Sequence, residues 1–447
     1  MPIEVKLQDF ARKVLLFAAV LTVVALFYAI WNRWGGLVDA NSLRDTFLYY
    51  VVPLVVTAAA FTFAALYPGI DRLFVLVIVA AVYVALVSAD IYFDYASRDA
   101  EGLNRAAAAR FKLPYDDRNQ ADVVADLRKK GERAFAFVRE LSDSNLVTLG
   151  VLPNSIAVTC NEFGPWFIPR TDRYGFVNPD AIWDQQQPVD AVIIGDSYAM
   201  GECDPTTGGF ATLLRNGGRS ILNLGIGGND PLQDLASLVE FGSTRKARVI
   251  FWMHYAGNDL SGLVQHRIYP ILRRYVNDPA FRQDLMHRMP EVEKRLLELE
   301  PEAYQYASQT SFVSHLFAYD GLPRSLRLYV LRSAFGMARN TEADTDFGLF
   351  ARVLARAKET AVGMGAKLYI VNIPAVAQFG RDSAFERATS AAVKEAGLDF
   401  IDLKPIFSKT GDYGALYSHG VQGGHFSPAG NRLVAQVLSS VVTAGSR

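Results

Sequence analysis

Cysteine is scarce in this chain, which has two in 447 residues, Cys160 and Cys203. They lie too far apart for a Cys-x-x-Cys pattern, which excludes a metal or redox motif of that kind. Long blocks of one charge are also missing. Lys and Arg number 45 against 46 for Asp and Glu, a formal net charge of −1, and no Lys/Arg run stands out. A nucleic-acid partner therefore has no electrostatic footprint. There is no internal repeat and no low-complexity tract, so a solenoid or a long disordered segment has no support. Nothing marks a metal or an organic cofactor.

What is abundant is apolar surface. Apolar residues make up 51% of the chain, which is high for a protein that meets only water. Three stretches concentrate them, Val14–Trp31, Phe47–Tyr67 and Leu73–Ala89, none with an acidic or basic residue. Each is close to the roughly 20 residues that span a bilayer. Trp31, Trp34, Tyr49, Tyr50, Tyr67 and Tyr92 cluster at their ends, where amphipathic rings favour the headgroup zone. A cleaved signal peptide fits poorly, because two similar runs follow the first. The expectation is a three-helix transmembrane anchor over residues 1–94, multi-pass in the inner (plasma) membrane. Lys6, Arg12, Lys13 and Arg72, set against Arg33 and Arg44 in the first loop, lean toward a cytoplasmic N-terminus. An odd number of spans then carries everything after about Asp94 outside the cytoplasm. In that compartment Cys160 and Cys203 read as one disulfide; the other reading is two unrelated small core residues.

Residues 95–150 are polar with helical spacing at Val123, Val124 and Leu127, then at Phe135, Val138 and Leu141. This predicts a juxtamembrane helical stalk packed on the next domain. From 151 to 447, strand-like and helix-like runs alternate. Strands are predicted at Ala191–Ile194, Ser220–Leu224, Arg248–Met253, Lys367–Asn372 and Asp399–Leu403, with helices such as Gly209–Arg215 and Pro231–Glu240 between most of them. Such alternation argues an α/β domain, a parallel sheet wrapped by helices, with ligands bound beyond the C-terminal strand ends. The alternation breaks over about 260–346, which is charged and helix-like, and is expected to be a helical insertion beside the site.

Several chemistry-bearing residues fall at predicted strand ends. Ser197 follows a strand and Gly195-Asp196, where amides at a helix start can face a developing oxyanion. In isolation it would pass for an N-cap serine. Ala199 stands where Gly-x-Ser-x-Gly would need its second glycine, against an α/β-hydrolase elbow. Gly228 follows the second strand and Asn258 the third; alone they read as a tight turn and an Asx-turn. Of the six histidines, His254 ends a strand-like run and is expected to be packed. His266, His287 and His315 belong to the insertion, and His419 is a second choice. His425 has the strongest position, because Gly-rich chain precedes it and Ser427-Pro428 opens the terminal helix. From there it can accept a proton from Ser197.

Taken in order, Gly195-Asp196-Ser197, Gly228, Gly257-Asn258-Asp259 and His425 resemble the four blocks of the SGNH/GDSL hydrolase superfamily, over roughly Val189 to the C-terminus. The resemblance implies a flavodoxin-like three-layer parallel sheet, with Ser197 as nucleophile and His425 as general base. It also implies an oxyanion hole from the Ser197 and Gly228 amides and the Asn258 side chain. Phe163–Asp180 resembles the lead-in of membrane-anchored members linked to bacterial surface polysaccharides.

One position departs from the family. An aspartate usually stands three residues before the histidine, and here that residue is Gln422. A carboxylate would orient the imidazole and stabilise its cation, whereas Gln422 offers only a dipole. The expectation is a Ser–His dyad helped by a backbone carbonyl, with Asp402 and Asp412 as candidates for an acid reaching in.

The expected function is a serine esterase acting on acyl, above all acetyl, esters of an acylated glycan. Two alternatives stand beside it. One is an O-acetyltransferase served by a membrane acyltransferase partner; the other is a non-catalytic glycan-binding or scaffold module, which Gln422 favours.

Overall fold

A computed structural model of the chain describes residues 3–34, 46–97, 100–139, 145–261, 263, 270–308, 321–334, 346–380 and 384–444. The expectations for Arg44, Leu141, His266 and His315 fall outside them. The chain divides into two compact units, residues 1–99 with 311–343 and residues 100–310 with 344–447.

In the first unit, three helices are long and apolar enough to cross a membrane, over Ile3–Trp31, Phe47–Leu66 and Arg72–Asp94. The first helix begins well before the apolar run, at Ile3, and includes the Lys13–Asp9 ion pair one turn apart. Small residues let the helices meet, with Leu15 buried against Ala64 and Ala65. Phe27, Val56, Phe74 and Val84 stay exposed, faces that lipid would cover. Two short helices, Gly321–Leu326 and Tyr329–Ala334, belong to this unit. The Tyr83 hydroxyl donates to the Leu326 carbonyl (2.8 Å), and the Leu331 amide donates to Asp90 (2.9 Å). Part of the expected insertion thus packs on the third apolar helix. A sequence rich in Leu, Tyr and Val finds an apolar partner there.

The second unit is mixed α/β. Two short strands, β1 (Ala134–Ala136) and β2 (Ile156–Val158), pair in parallel. The main sheet holds β3 (Val189–Gly195), β4 (Ile221–Asn223), β5 (Ala247–Tyr255), β6 (Lys367–Ile373) and β7 (Asp399–Asp402). Its order is β4-β3-β5-β6-β7, every neighbouring pair parallel. Side chains of a strand alternate between the two faces, and both faces of β3 are apolar. Val192 and Ile194 join a core with Leu222, Ile250 and Trp252 under the helices Pro231–Glu240 and Phe347–Met364. Ala191 and Ile193 join Phe251, Met253 and Val371 under Gly209–Asn216 and Pro428–Ala444. Burial on both faces explains the near-continuous apolar runs that mark these strands.

The region read as a stalk is part of this unit. Its helix Gln120–Lys129 is capped by Asn119, and the chain then turns extended at β1 instead of continuing helical through Phe135. Arg110 donates to the carbonyls of Tyr417 (3.4 Å) and Gly414 (3.2 Å), which ties the helix Ala100–Phe111 to the C-terminal loops.

Candidate active site

From β3 the chain runs outward and then to the right and left of it, first to β4 and afterwards to β5. In open parallel sheets ligands bind beyond the C-terminal strand ends at such a reversal of strand order. Three of the sequence blocks arrive at this edge on adjacent strands: Ser197 after β3, Gly228 after β4 and Asn258 after β5. The turn after β4 stays on β3 through the Ile226 amide, which donates to the Gly195 carbonyl (3.1 Å). Gly228 has φ +76°, a left-handed conformation that favours glycine. Arg139 braces the same turn, donating to the Gly227 carbonyl (2.7 Å) and to Asn229 Oδ1 (2.6 Å).

Ser197 opens a short helix, Ser197–Met200, whose N-cap Asp196 accepts from the Tyr198 amide (3.0 Å). Its Oγ lies 2.8 Å from His425 Nε2 and 3.4 Å from Asp196 Oδ2. His425 is held from several sides. Its carbonyl accepts from the Ser418 amide (2.8 Å), and its ring lies 5.3 Å from that of Tyr198. Tyr198 in turn donates from its hydroxyl to the Gly424 carbonyl (2.7 Å).

The group that orients His425 is Glu162. Its Oε1 accepts from His425 Nδ1 (2.8 Å), while Oε2 accepts from the His425 amide (2.9 Å) and the Ser418 hydroxyl (2.6 Å). An ionised carboxylate can only accept, so His425 Nδ1 carries a proton; in the neutral ring the Nε2 lone pair then faces Ser197, and in the imidazolium Nε2 carries the second proton. Gly424 makes this approach available. A side chain there would fall on Ser418 Oγ and within 3.1 Å of Glu162 Oε2, at a backbone φ of +79°.

This corrects the expectation about the acid. Asp402 is occupied at the end of β7, accepting from Asn372 Nδ2 and the Lys404 amide, both at 3.0 Å. Asp412 caps a turn of 3-10 helix through the Ala415 amide (3.2 Å). Gln422 lies exposed in the next such turn, Gly420–Gln422. Each is used locally, and the carboxylate that meets His425 Nδ1 comes from the loop after β2, 263 residues earlier in the chain. One sequence signal leads to it. Cys160 and Cys203 form a disulfide with Cα atoms 5.4 Å apart, and Glu162 stands two residues after Cys160. A bond from Cys160 to the neighbourhood of Ser197 carries Glu162 to the site with it.

Electrostatics sharpen the roles. Burial alone would push the Glu162 carboxyl up, but the facing His425 charge and its hydrogen bonds outweigh this and hold it below the ordinary carboxylate range. Burial likewise pulls His425 down, and the Glu162 charge more than reverses it. Burial, and then the facing Asp259, push Asp196 up to about 8. Glu202 is also raised by burial. Of Glu162 and Asp196, Glu162 is therefore the one whose surroundings favour the charged form. His254 is buried 3.4 Å from Asp259, and burial pulls it down to about 4, so it is a neutral packed residue. His419 contacts Asn104 Oδ1 (2.9 Å) and His287 sits exposed by Asp284.

No family model and no curated protein matches the chain. A solved crystal structure aligns with 58% of this chain and 99% of its own length at 14% identity, with a TM-score of 0.28. A likeness that slight carries no argument, and the functional reading rests on the geometry.

Proposed function

We propose that this chain is a membrane-anchored serine esterase of the SGNH/GDSL type, acting on acyl, chiefly acetyl, esters of a surface glycan. The observation that carries the proposal is the hydrogen-bonded row Glu162–His425–Ser197 at the C-terminal edge of a parallel sheet. Ser197 Oγ attacks the ester carbonyl while His425 Nε2 takes its proton. Glu162 stabilises the imidazolium without taking the proton itself. The amides of Ser197 and Gly228 and the Asn258 side chain receive the oxyanion. His425 then protonates the leaving sugar oxygen, and water, deprotonated by His425, releases acetate from the acyl-enzyme.

The strand order, equivalent to 2-1-3-4-5 along the chain, is that of the flavodoxin-like doubly wound sheets and supports the SGNH reading. A disulfide beside the catalytic residues supports placing the unit outside the cytoplasm, where such bonds persist. A second reading, transfer of the acyl group to a sugar hydroxyl, uses the same acyl-enzyme. It would need an acyl donor delivered by a membrane partner protein. The non-catalytic alternative loses its motive, because it rested on Gln422 standing in the acid's place.

The test is aryl acetate turnover by the full chain in detergent. Wild type should hydrolyse it and Ser197→Ala should fall by at least about 10³-fold. Equal rates for the two would overturn the esterase reading.

A further inference from the structure

The carboxylate that orients His425 comes from outside the main sheet. Glu162 sits in a loop after β2, whose strand partner is β1. Ser197 and His425 belong to the main-sheet lobe. The covalent link between the two parts is Cys160–Cys203. On one side it is two residues from Glu162, and on the other it is six residues from Ser197. Cys203 is fully buried, and its Sγ lies 3.2 Å from His425 Nδ1, the atom that also binds Glu162. Cys203 has φ +69°, left-handed for a residue with a Cβ. Such a conformation is strained and persists where the surroundings impose it. Just before it, the Glu202 amide donates to the Ser197 carbonyl (3.0 Å). The cystine, the nucleophile helix and the acid thus form one short ring of connections around the imidazole.

We infer that the Cys160–Cys203 disulfide is a positioning element of the catalytic acid, so that the esterase is active in its oxidised form and disabled when the bond opens. The inference rests on the reading of Ser197, His425 and Glu162 as a triad. Its physical basis is pre-organisation. Glu162 must desolvate to face His425, and a tether that holds it there removes the ordering cost of the loop. The cystine also covers the Nδ1 side of the ring and keeps water from competing with the carboxylate. Opening is ordinary exchange. One thiolate of a dithiol attacks a protein sulfur and forms a mixed disulfide. The second thiol closes the reagent into its own cyclic disulfide, and the two protons pass to Cys160 and Cys203, leaving two protein thiols. The loop is then free to leave, and His425 loses its charged partner.

The experiment compares full-length wild type, Cys160→Ala with Cys203→Ala, Glu162→Gln, and the combination of all three substitutions, each in detergent with aryl acetate as substrate. The double cysteine variant should lose about 10²-fold in kcat with KM changed by less than about threefold. Its acid limb should also move to lower pH, as in Glu162→Gln, because the charge that raises His425 has gone. In the Glu162→Gln background the cysteine substitutions should cost less than about twofold, since the element they remove acts through Glu162. A folded double variant with undiminished kcat, an unmoved pH limb, or an equal further loss in the Glu162→Gln background would each overturn the inference. If the double variant does not fold, dithiothreitol is added to wild type and turnover is followed together with the near-ultraviolet circular dichroism. Turnover lost ahead of the spectrum supports the inference; simultaneous loss makes the bond a staple of the fold and overturns it. Failure of the triad reading itself looks different, with wild type and Ser197→Ala equal before any cysteine is touched.

Discussion

At the site, each residue acts through the one beside it, and this makes the consequences of single substitutions separable. Replacing Glu162 by Gln keeps the shape but removes the charge that fixes the Nδ1 proton and raises His425. Turnover should drop by about 10²- to 10⁴-fold, and the acid limb of the kcat/KM profile should move down in pH. The sign follows from the chemistry: the base works only when neutral, so a partner that favours the imidazolium pushes the limb up, and its loss lets it fall. Asp402→Asn, Asp412→Asn and Gln422→Ala should each stay within about twofold of wild type, since those residues serve local caps and turns. His425→Ala should abolish turnover while His419→Ala retains most of it; the reverse would move the base. Asp196 makes a different prediction. Its carboxyl is raised to about 8 in the folded chain, from an ordinary 3.8, by burial and then by Asp259. The fold therefore prefers the protonated form, and the associated stability is full below the unfolded value and lost as pH rises toward 8. Asp196→Asn should gain melting temperature relative to wild type across that window. Parallel curves would show that Asp196 is already charged.

The loop carrying His425 shows how an element's shape is set by contacts distant in sequence. Gly424 and Gly411 have the same φ, +79°, but a Cβ on Gly411 would meet nothing within 4 Å, whereas one on Gly424 would fall on Ser418 and approach Glu162. Gly411→Ala should cost only the left-handed strain, about 1 kcal/mol. Gly424→Ala should destabilise more and reduce turnover as well, because Ser418 and Glu162 must move away from each other. Denaturant unfolding and turnover measured on the same samples check both, and equal effects of the two substitutions would contradict the packing described. The main-sheet strands were legible in the sequence, because burial on two faces writes continuous apolar runs such as Ala191–Ile194 and Arg248–Met253. The strands β1 and β2 were not. Three residues each are too short to show a period, and Phe135 continued an apparent helical spacing that only the pairing with β2 overrides.

For the molecule as a whole, the blocks around Ser197, Gly228 and Asn258 were readable because each follows a strand of one sheet, and His425 because it stands in a Gly-rich loop just ahead of the terminal helix. Glu162 was hidden because nothing local marks it; its role arises from a loop folded back over more than two hundred residues. Only the disulfide, taken as formed, would have led to it. The disulfide and the three apolar helices bear on topology together. A reporter fused after Arg447 should be active only outside the cytoplasm, and cytoplasmic activity would contradict the placement of the site. The central claim, that Ser197 is a nucleophile driven by His425 and Glu162, is tested most directly by covalent labelling with an aryl fluorophosphonate and peptide mapping by mass spectrometry. A single adduct on Ser197 is predicted, absent in Ser197→Ala and formed at least about 10²-fold more slowly in His425→Ala and Glu162→Gln. No adduct on Ser197, or labelling at an undiminished rate without His425, would contradict the account.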